Sequence, residues 1–273
     1  MTRISAIIVS YHTGPRLKEC LYAVSGDPDI DAVVVIDNGN SEAMRGWLQD
    51  FAERREHVKV LLTEKNIGFG AAVNLGARKA RGDHYLILNP DAVLKRGSVA
   101  ALLKASQSLP TPWIVGGKIF NLRGIEERGP RRRDLTLWRA LTSFVGFKTW
   151  TLEHTASPDE SIEMDVISGA FFMTSKQSFK ALEGFDEGYF LHVEDVDLCF
   201  RCREMGGSVI YQPHAGALHY GSTSEAPSRV IAHHKADGLA RYFRKRAKGP
   251  VHRAMTEMAL PFIRFALLVR AGG

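Results

Sequence analysis

The fold is decided by residues 85–91, with the sequence YLILNPD, in which an apolar run ends abruptly in polar residues. A short apolar run bounded by turn-forming residues is typical of a buried strand. The same pattern occurs earlier in the chain at residues 4–9, 32–36 and 58–62. We therefore predict a series of strands in this part of the chain, each followed by polar side chains.

Helical patterns separate these strands at residues 15–24, 42–51 and 71–80. Strands that alternate with helices of this length predict right-handed crossovers and a mainly parallel, Rossmann-like sheet flanked by helices, so the predicted fold class is α/β. In such sheets, ligands bind beyond the carboxyl ends of the strands. The polar residues that follow the predicted strands are Ser10, Tyr11, His12, Asp37, Asn38, Asn66, Asn89 and Asp91.

The later part of the chain alternates less regularly. We predict helices at residues 97–108, 175–182 and 195–205, and strands at 113–120, 164–174 and 208–211. From residue 228 the pattern becomes helical and basic, with a break at Gly249-Pro250 and a second amphipathic segment at 251–270. We therefore predict one domain over residues 1–227 and a basic amphipathic helical tail over residues 228–273.

The composition is that of a globular protein, since 45% of the 273 residues are hydrophobic and 24% are charged. These proportions exclude disordered, collagen-like and disulfide-stapled chains. The odd number of cysteines, three, leaves at least one thiol unpaired and favours a reducing compartment. The first apolar run is too short for a signal peptide, and no stretch approaches the roughly 18 apolar residues of a membrane-spanning helix. We therefore expect a cytoplasmic protein.

The formal charge of +6 is unevenly distributed. Residues 229–270 contain ten Lys or Arg and two acidic residues, and the basic residues flank apolar runs at 258–263 and 265–269. This mixture suits a helix that lies in the membrane interface, held by buried apolar area and by attraction to anionic lipids. The alternative is a helix packed on the domain with its basic face in solvent. We expect a membrane-surface partner and no nucleic acid partner.

Asp91 is predicted to project from the open end of a buried strand. A carboxylate there suits Mg²⁺ or Mn²⁺, which takes one or two protein carboxylates and completes its shell with water and a substrate diphosphate. The alternative is that Asn89-Pro90-Asp91 is only a turn, since all three residue types favour turns. His219 follows the last predicted strand, and its imidazole completes a metal shell only if the fold brings it beside Asp91.

Three carboxylates, those of Glu194, Asp195 and Asp197, stand within four residues at a predicted helix start. Acidic residues in a first helical turn are often explained by capping and by the helix dipole. Their crowding nonetheless costs free energy unless a cation, an arginine or a proton-accepting role offsets it. The residues alone leave both interpretations open.

Arg128, Arg131, Arg132 and Arg133 form a basic cluster around Pro130. A charge run of this kind is usually a solvated loop. Guanidinium groups also bind phosphate oxygens bidentately, so the second interpretation is a site for an acceptor or a diphosphate.

Several well-known motifs are excluded. The segment Gly68-Phe69-Gly70-Ala71-Ala72-Val73 has a valine where a dinucleotide-binding fingerprint has its third glycine. The chain has no G-x-x-x-x-G-K-[ST] phosphate loop and no G-x-S-x-G nucleophile motif. Cys199 and Cys202 lack a second pair at metal-binding spacing, so we interpret them as packing residues.

Taken in order along the chain, these motifs resemble the family 2 glycosyltransferases, which are inverting enzymes of the GT-A fold. The resemblance is closest to the rhamnosyltransferase-like branch that builds bacterial surface polysaccharides, and it covers about residues 4–224. The motifs that carry it are Ile8-Val9-Ser10-Tyr11, Val35-Ile36-Asp37-Asn38, Asn66-Ile67-Gly68-Phe69-Gly70 with Asn74 and Gly76, Leu88-Asn89-Pro90-Asp91, Ser168-Gly169-Ala170, Gly184-Phe185-Asp186, Glu194-Asp195-Val196-Asp197-Leu198-Cys199 and His219.

This resemblance implies a nucleotide-sugar site at the ends of the first strands. Asp37 would hold the nucleotide base, with Ser10 and Tyr11 lining the same pocket. Asn66 and Asn89 would contribute to the same nucleotide-sugar site.

The resemblance also implies a metal and a catalytic base. Asp91 would be the metal-binding acid of the family's D-x-D motif, and His219 its distant partner on Mg²⁺ or Mn²⁺ or on the diphosphate. The first acid of that motif is Asn89 here, and a neutral amide binds a cation more weakly than a carboxylate does. Asp195, beside Glu194, would be the catalytic base.

The implied reaction is inverting transfer of L-rhamnose from dTDP-rhamnose to a hydroxyl of a glycan or a polyprenyl-diphosphate-linked acceptor. A peripheral enzyme on the inner face of the plasma membrane, acting on a lipid-linked acceptor, would explain the basic and apolar residues of the tail. Two alternatives are a UDP-sugar-dependent glycosyltransferase and a non-catalytic protein that binds nucleotide sugars or polyanions. A sugar nucleotidyltransferase is disfavoured because no Gly-rich phosphate loop follows Val9.

Overall fold

The computed structural model describes residues 2–127, 129–144, 156–221 and 227–272, with side chains left out at 143, 144 and 272. Arg128 and residues 222–224, where the family resemblance ends, lie outside the described residues.

The first part of the chain alternates strands and helices as predicted, with each boundary within two residues of its expected position. The elements are β1 (Ile4–Ser10), α1 (Arg16–Ser25), β2 (Ala32–Asp37), α2 (Glu42–Glu53), β3 (Val58–Leu62), α3 (Phe69–Lys79) and β4 (His84–Leu88). The polar residues named above therefore stand at or just beyond the carboxyl ends of their strands.

The elements in the rest of the chain differ more widely in length. They are β5 (Ala92–Leu94), α4 (Ser98–Ser106), β6 (Trp113–Phe120), β7 (Arg131–Arg132), α5 (Leu137–Phe144), β8 (Ile162–Glu163), β9 (Val166–Ile167), β10 (Phe171–Ser175), α6 (Lys176–Ala181), α7 (Glu194–Glu204), β11 (Ser208–His219), α8 (Ser228–Arg246) and α9 (Gly249–Gly272).

Two strand predictions in this part were wrong in extent. Residues 164–174 do not form one strand, because β9 and β10 are separated at residues 168–170, where the backbone of Gly169 bonds to a side chain instead of to a neighbouring strand. The last strand, β11, continues eight residues past Tyr211. It does so through an irregular register between Gln212 and Gly216, a segment that includes Pro213, which has no N–H to donate.

The sheet is mainly parallel in its first part, in the order β3-β2-β1-β4-β10-β6-β11-β5, with β8 paired to β11. Strands β1, β2, β3 and β4 pair in parallel. Strand β10 enters antiparallel between β4 and β6. The short strands β7 and β9 form a separate ribbon that places Arg132 opposite Val166.

The central strands are buried on both faces, because helices cover both sides of the sheet. Along β1, Ile7 and Val9 face one core layer while Ala6 and Ile8 face the other, as the two-residue period of a strand requires. The first layer includes side chains of α3, α7, α8 and α9, and the second includes side chains of α1, α2 and α4.

The basic tail forms α8 and α9, and the predicted break at Gly249-Pro250 is confirmed, since α9 begins at Gly249. Tyr242 and Phe243 of α8 and Leu260 and Ile263 of α9 belong to the same core layer as α7. Among the described residues, no helix combines the length and the apolar character needed to cross a membrane. The boundary at residue 227 stays a prediction.

Candidate active site

The ends of β1 and β2 are joined by side chains that the sequence singled out. Ser10 is fully buried, and its hydroxyl donates to Oδ1 of Asn40 at 3.0 Å. The carboxylate of Asp37 accepts the backbone N–H of Asn40 at 2.8 Å and Nε of Arg45 at 3.3 Å. Asp37 thus orders the turn beyond β2, and its expected contact with a nucleotide base stays a prediction.

Tyr11 and Asn66 both lie near Gly39, in the turn beyond β2. A Cβ added at Gly39 would lie 3.3 Å from the Tyr11 ring and 4.0 Å from the backbone nitrogen of Asn66. Oδ1 of Asn66 accepts the side-chain amide of Asn38 and the backbone N–H of Gly68, both at 2.9 Å. Tyr11 is partly exposed, and Asn66 is held by its neighbours beside the ends of β1 and β2.

Asp91 and His219 lie together, just beyond the end of β4 and at the end of β11. The sequence required this proximity if both side chains were to bind one metal ion. Nε2 of His219 lies 3.3 Å from Oδ1 of Asp91 and 3.4 Å from the side-chain nitrogen of Asn89. Nδ1 of His219 lies 3.3 Å from both carboxylate oxygens of Glu127. Burial acts to lower the pKa of His219, but the carboxylates of Asp91 and Glu127 outweigh it, so the pKa is raised.

The ligand atoms that Asp91 and His219 offer fit a divalent cation. Asp91 offers a carboxylate oxygen and His219 an imidazole nitrogen, which are ligand types that Mn²⁺ accepts. Glu127 occupies the place of the carboxylate that commonly holds the second nitrogen of a metal-ligating histidine. Across the described ranges, no cluster of three or more His, Cys, Asp or Glu side chains is arranged to hold a metal. A cation here would take its remaining ligands from water and a diphosphate.

Asp195 stands in the first turn of α7. Its Oδ2 accepts the backbone N–H of Gly169 at 3.0 Å and also a hydrogen bond from Nη2 of Arg132. Burial would raise the pKa of Asp195, but the charge of Arg132 and the hydrogen bonds from Gly169, Arg132 and Val196 outweigh it and lower the pKa. The carboxylate is therefore held ionised and oriented, as a proton acceptor needs to be.

Glu194 differs from its neighbour in protonation. Burial, reinforced by the negative charge of Asp195, raises the pKa of Glu194 to about 8. Its Oε2 is buried without a hydrogen-bond partner. The two residues before it, His192 and Val193, have φ values of 69° and 72°. A β-branched residue in this left-handed region is a strained conformation of the kind that collects at functional sites.

The two predicted catalytic regions meet at residues 168–170. The backbone N–H of Asn89 donates to the carbonyl of Ala170 at 2.8 Å, while that of Gly169 donates to Asp195. A Cβ added at Gly169 would lie 3.1 Å from Cβ of Asp195, so glycine permits this approach. Asn89, two residues from Asp91, and Asp195 thus contact adjacent residues of one short segment, which places both regions at the same edge of the sheet.

The predicted arginine cluster is divided by the structure. Arg131 is buried and bonds to Glu126, with Nε 3.0 Å from Oε1. Arg132 binds Asp195, and Arg133 lines a cavity of about 280 Å³ that also contains Glu194 and Asp195.

The same cavity contains two basic residues that sequence reasoning missed, Lys235 of α8 and Arg270 of α9. Both come from the tail, and nothing in their local sequence connects them with Asp195. Glu127, beside His219, was also missed, because nothing in its local sequence connects it with a histidine 92 residues away.

Asp197, Cys199 and Cys202, which follow Asp195 on α7, have structural roles. Asp197 accepts hydrogen bonds from Arg201 at 2.7 Å, Lys245 at 2.9 Å and the Tyr189 hydroxyl at 3.2 Å. Cys199 and Cys202 are free thiols in the core, as expected of packing residues.

The model of the family described as Glycosyl transferase family 2 matches residues 5–182 of the chain. The N-acetylglucosaminyl-diphospho-decaprenol L-rhamnosyltransferase of Mycobacterium tuberculosis is 30% identical over 254 residues, which cover 85% of this chain and 82% of that protein. Rhamnosyltransferase WbbL of Escherichia coli (strain K12) is 26% identical over 78% of this chain and 82% of its own length.

Solved structures share the fold at low sequence identity. The crystal structure of GalNAc-T7 with UDP, GalNAc and Mn²⁺ matches with a TM-score of 0.69 and 18% identity over 89% of this chain and 48% of that chain. The mannosyltransferase PcManGT from Pyrobaculum calidifontis, in complex with GDP-Man and Mn²⁺, matches with a TM-score of 0.63 and 17% identity over 99% of this chain and 73% of that chain. These glycosyltransferases have the GT-A fold, so the predicted fold is confirmed.

Proposed function

Because this chain belongs to glycosyl transferase family 2 and is a glycosyltransferase, we propose that it transfers L-rhamnose, with inversion, from dTDP-rhamnose to a hydroxyl of a lipid-linked acceptor. The observation that carries the proposal is the meeting of the Asp91 and Asp195 regions at residues 168–170. A donor diphosphate at Asp91 and an acceptor hydroxyl at Asp195 would then lie on opposite sides of one sugar.

In the proposed reaction, Asp195 accepts the proton of the acceptor hydroxyl. The acceptor oxygen forms a bond to the anomeric carbon while the bond to the donor diphosphate breaks, and the diphosphate leaves with the electron pair. One displacement inverts the anomeric centre. General-base help of this kind is typically worth ~10² to 10⁴ in rate.

Asp91 and His219 would hold the divalent cation, Mg²⁺ or Mn²⁺, at the donor end. When bound, the cation would stabilise the negative charge that develops on the leaving diphosphate. Asn89, whose side-chain nitrogen lies 3.4 Å from Nε2 of His219, would help to orient that imidazole. Ser10, Tyr11, Asp37 and Asn66 would form the nucleotide end of the donor site.

The names of the two relatives support the transferred sugar and the acceptor. The Mycobacterium tuberculosis protein is named for L-rhamnose transfer to a diphospho-decaprenol carrier, and the Escherichia coli protein is named a rhamnosyltransferase. A UDP-sugar donor is the alternative, and it is distinguished by the nucleotide panel below.

A lipid carrier requires that the enzyme work at a membrane, and α9 has a surface suited to that. Its exposed apolar side chains recur at alternating intervals of four and three residues and therefore form one stripe along the helix. The interfacial stripe consists of Val251, Met255, Met258, Phe262, Phe265 and Val269. The stripe would be immersed in the interface, with the basic residues of the tail against anionic lipids, on the inner face of the plasma membrane.

The donor assignment is tested by thermal unfolding with dTDP, UDP or GDP, each with and without Mn²⁺. A ligand that binds only the folded state stabilises it by RT ln(1 + [L]/Kd), about 2.7 kcal/mol at a hundredfold excess over Kd. We expect dTDP with Mn²⁺ to raise the unfolding temperature most. A larger increase of the unfolding temperature with UDP would replace dTDP-rhamnose by a UDP-sugar as the donor. An unfolding temperature that no nucleotide changes would refute the proposal.

A further inference from the structure

We propose that the cavity beside Asp195 is a binding site for the diphosphate of the acceptor, held by Arg133, Lys235 and Arg270. The inference rests on the proposed function, because it takes the acceptor to be a lipid-linked sugar. It adds the residues that recognise the carrier, two of which belong to the tail helices.

The first observation is the charge of the cavity. Four cationic side chains line its volume of about 280 Å³, from Arg132, Arg133, Lys235 and Arg270. The facing acidic groups are Asp195, which is paired with Arg132, and Glu194. Positive charge therefore exceeds negative charge in one small space.

The second observation is that these cations influence one another. The pKa of Lys235 is lowered first by burial and then by the positive charge of Arg132, while Asp195 acts in the opposite direction and Arg270 adds to the lowering. Like charges gathered in a partly enclosed site cost free energy unless an anion offsets them. A diphosphate supplies several oxygens that guanidinium and ammonium groups bind well.

The third observation is an unpartnered polar atom in a residue that lines the same cavity. Oε2 of Glu194 is buried without a hydrogen-bond partner in a residue only 7% exposed. Burial and the charge of Asp195 raise the pKa of Glu194 and so favour its protonated form, which can donate a hydrogen bond. A phosphate or sugar oxygen in the cavity would accept it.

Apart from His192, the remaining lining of the cavity is apolar, and part of it comes from the tail helices. Leu135, Leu239 and Leu267 line the cavity together with the cations. Helix α9 supplies both Leu267 and Arg270, and the same helix bears the interfacial stripe. The first part of a prenyl chain attached to a diphosphate in the cavity would contact these leucines, of which Leu267 is on the helix that is proposed to lie at the membrane.

The arrangement also defines the acceptor. Asp195 and the cations line one cavity, so the attacking hydroxyl and the diphosphate must belong to the same sugar or to immediate neighbours. The preferred acceptor is thus a single sugar on a polyprenyl diphosphate. The donor diphosphate is a separate group, since Asp91 and His219 do not line this cavity.

The test measures binding of farnesyl diphosphate to the full chain by calorimetry in the presence of saturating dTDP and Mn²⁺, which occupy the donor site. Farnesyl monophosphate and inorganic pyrophosphate are the comparison probes. The variants are Lys235→Ala and Arg270→Ala, with Lys235→Arg to restore the charge. Arg253→Ala is the matched control, because Arg253 is an exposed cation of α9 that does not line the cavity.

Loss of one charge-assisted contact to the diphosphate is expected to weaken binding roughly 10- to 100-fold. We expect that loss in Lys235→Ala and Arg270→Ala, near-normal binding in Lys235→Arg and Arg253→Ala, and weaker binding of both comparison probes. Unchanged affinity in both alanine variants, or displacement of farnesyl diphosphate by dTDP, would overturn the inference. If pyrophosphate binds as tightly as farnesyl diphosphate, the ligand of the cavity is a free phosphate compound and not a lipid diphosphate.

The two levels of the proposal fail separately. If dTDP binds but farnesyl diphosphate does not, the acceptor subsite is wrong and the donor assignment stands. If no nucleotide binds in the thermal panel, the proposed function itself is wrong.

Discussion

At the scale of single residues, the proposed roles of Asp195 as the base and of Asp91 as a metal ligand can be distinguished by nearly isosteric substitutions. Asp195→Asn keeps the shape of the side chain but removes its capacity to accept a proton. We expect rhamnosyl transfer to fall by roughly 10² to 10⁴, the usual contribution of a general base. Affinity for dTDP should be unchanged, because the proposed nucleotide site is at the other end, near Asp91.

The measurement is the initial rate of transfer beside the Kd for dTDP, both with Mn²⁺. Asp91→Asn serves as the contrasting variant, since it should weaken nucleotide binding as well as turnover. A transfer rate in Asp195→Asn equal to that of the unaltered enzyme would remove the base assignment.

The ion pair of Arg132 with Asp195 predicts a change in pH dependence. The positive charge of Arg132 favours the ionised carboxylate and so helps to lower the pKa of Asp195. In Arg132→Gln that pKa rises, and the base is protonated at a higher pH than before. The acid limb of the profile of kcat/KM against pH should therefore move to higher pH, with the largest loss of activity on the acidic side.

Arg132→Lys is the control for charge, because it retains a cation near the carboxylate. Its acid limb should lie closer to that of the unaltered enzyme than to that of Arg132→Gln. An acid limb that stays in place in Arg132→Gln would show that Asp195 does not titrate in the observed activity.

At the scale of elements, predictability follows the distance over which the determining interactions act. The early strands and helices were found because their apolar periodicity is local. Strand β5 was not, because three residues carry no periodicity and it pairs with β11, more than a hundred residues away. The extension of β11 was missed because Pro213 interrupts the strand pattern, whereas the real strand passes it with an irregular register.

Helix α9 offers a direct comparison between its two faces. Phe262 and Phe265 are 70% and 71% exposed on the interfacial stripe, whereas Ile263 between them is buried. Phe262→Ser with Phe265→Ser should weaken binding to phosphatidylglycerol vesicles at least tenfold, since each ring buried in an interface contributes about 1.5–3 kcal/mol. The unfolding temperature should change little, because neither ring is part of the core.

Ile263→Ala on the opposite face is the matched control. It should leave vesicle binding of the folded protein intact but cost about 2–5 kcal/mol of stability, as core truncations do. Vesicle binding that survives the double serine substitution would disprove the membrane role of the stripe. Loss of self-association in the same variant, seen by ultracentrifugation, would instead assign the stripe to contact with a second copy.

At the scale of the whole molecule, the sequence singled out the residues proposed for the donor end of the site but not Lys235 and Arg270, which are proposed for the acceptor end. Of the residues expected near the donor, those that follow β1 to β4 are brought together by strand order, whereas His219 approaches Asp91 because β11 pairs with β5. Lys235 and Arg270 reach the cavity only because α8 and α9 fold back onto α7. An approach of that kind depends on tertiary packing and leaves no spacing pattern in the chain. Gly238 permits it, since a Cβ there would lie 2.9 Å from the carbonyl of His192.

The packing of the tail predicts the outcome of cutting the chain at the expected boundary. Tyr242 and Ile263 are 0% and 1% exposed within the core layer shared with α7, and Lys245 binds Asp197 at 2.9 Å. A chain of residues 1–227 would expose that layer and leave Asp197 without its lysine partner. We expect it to unfold at a much lower temperature than the full chain and to bind a hydrophobic dye, whereas a chain that keeps α8, residues 1–248, should be affected less. Equal unfolding temperatures for the full chain and residues 1–227 would establish the tail as a separate unit, in which case Lys235 and Arg270 could be removed together without disturbing the sheet.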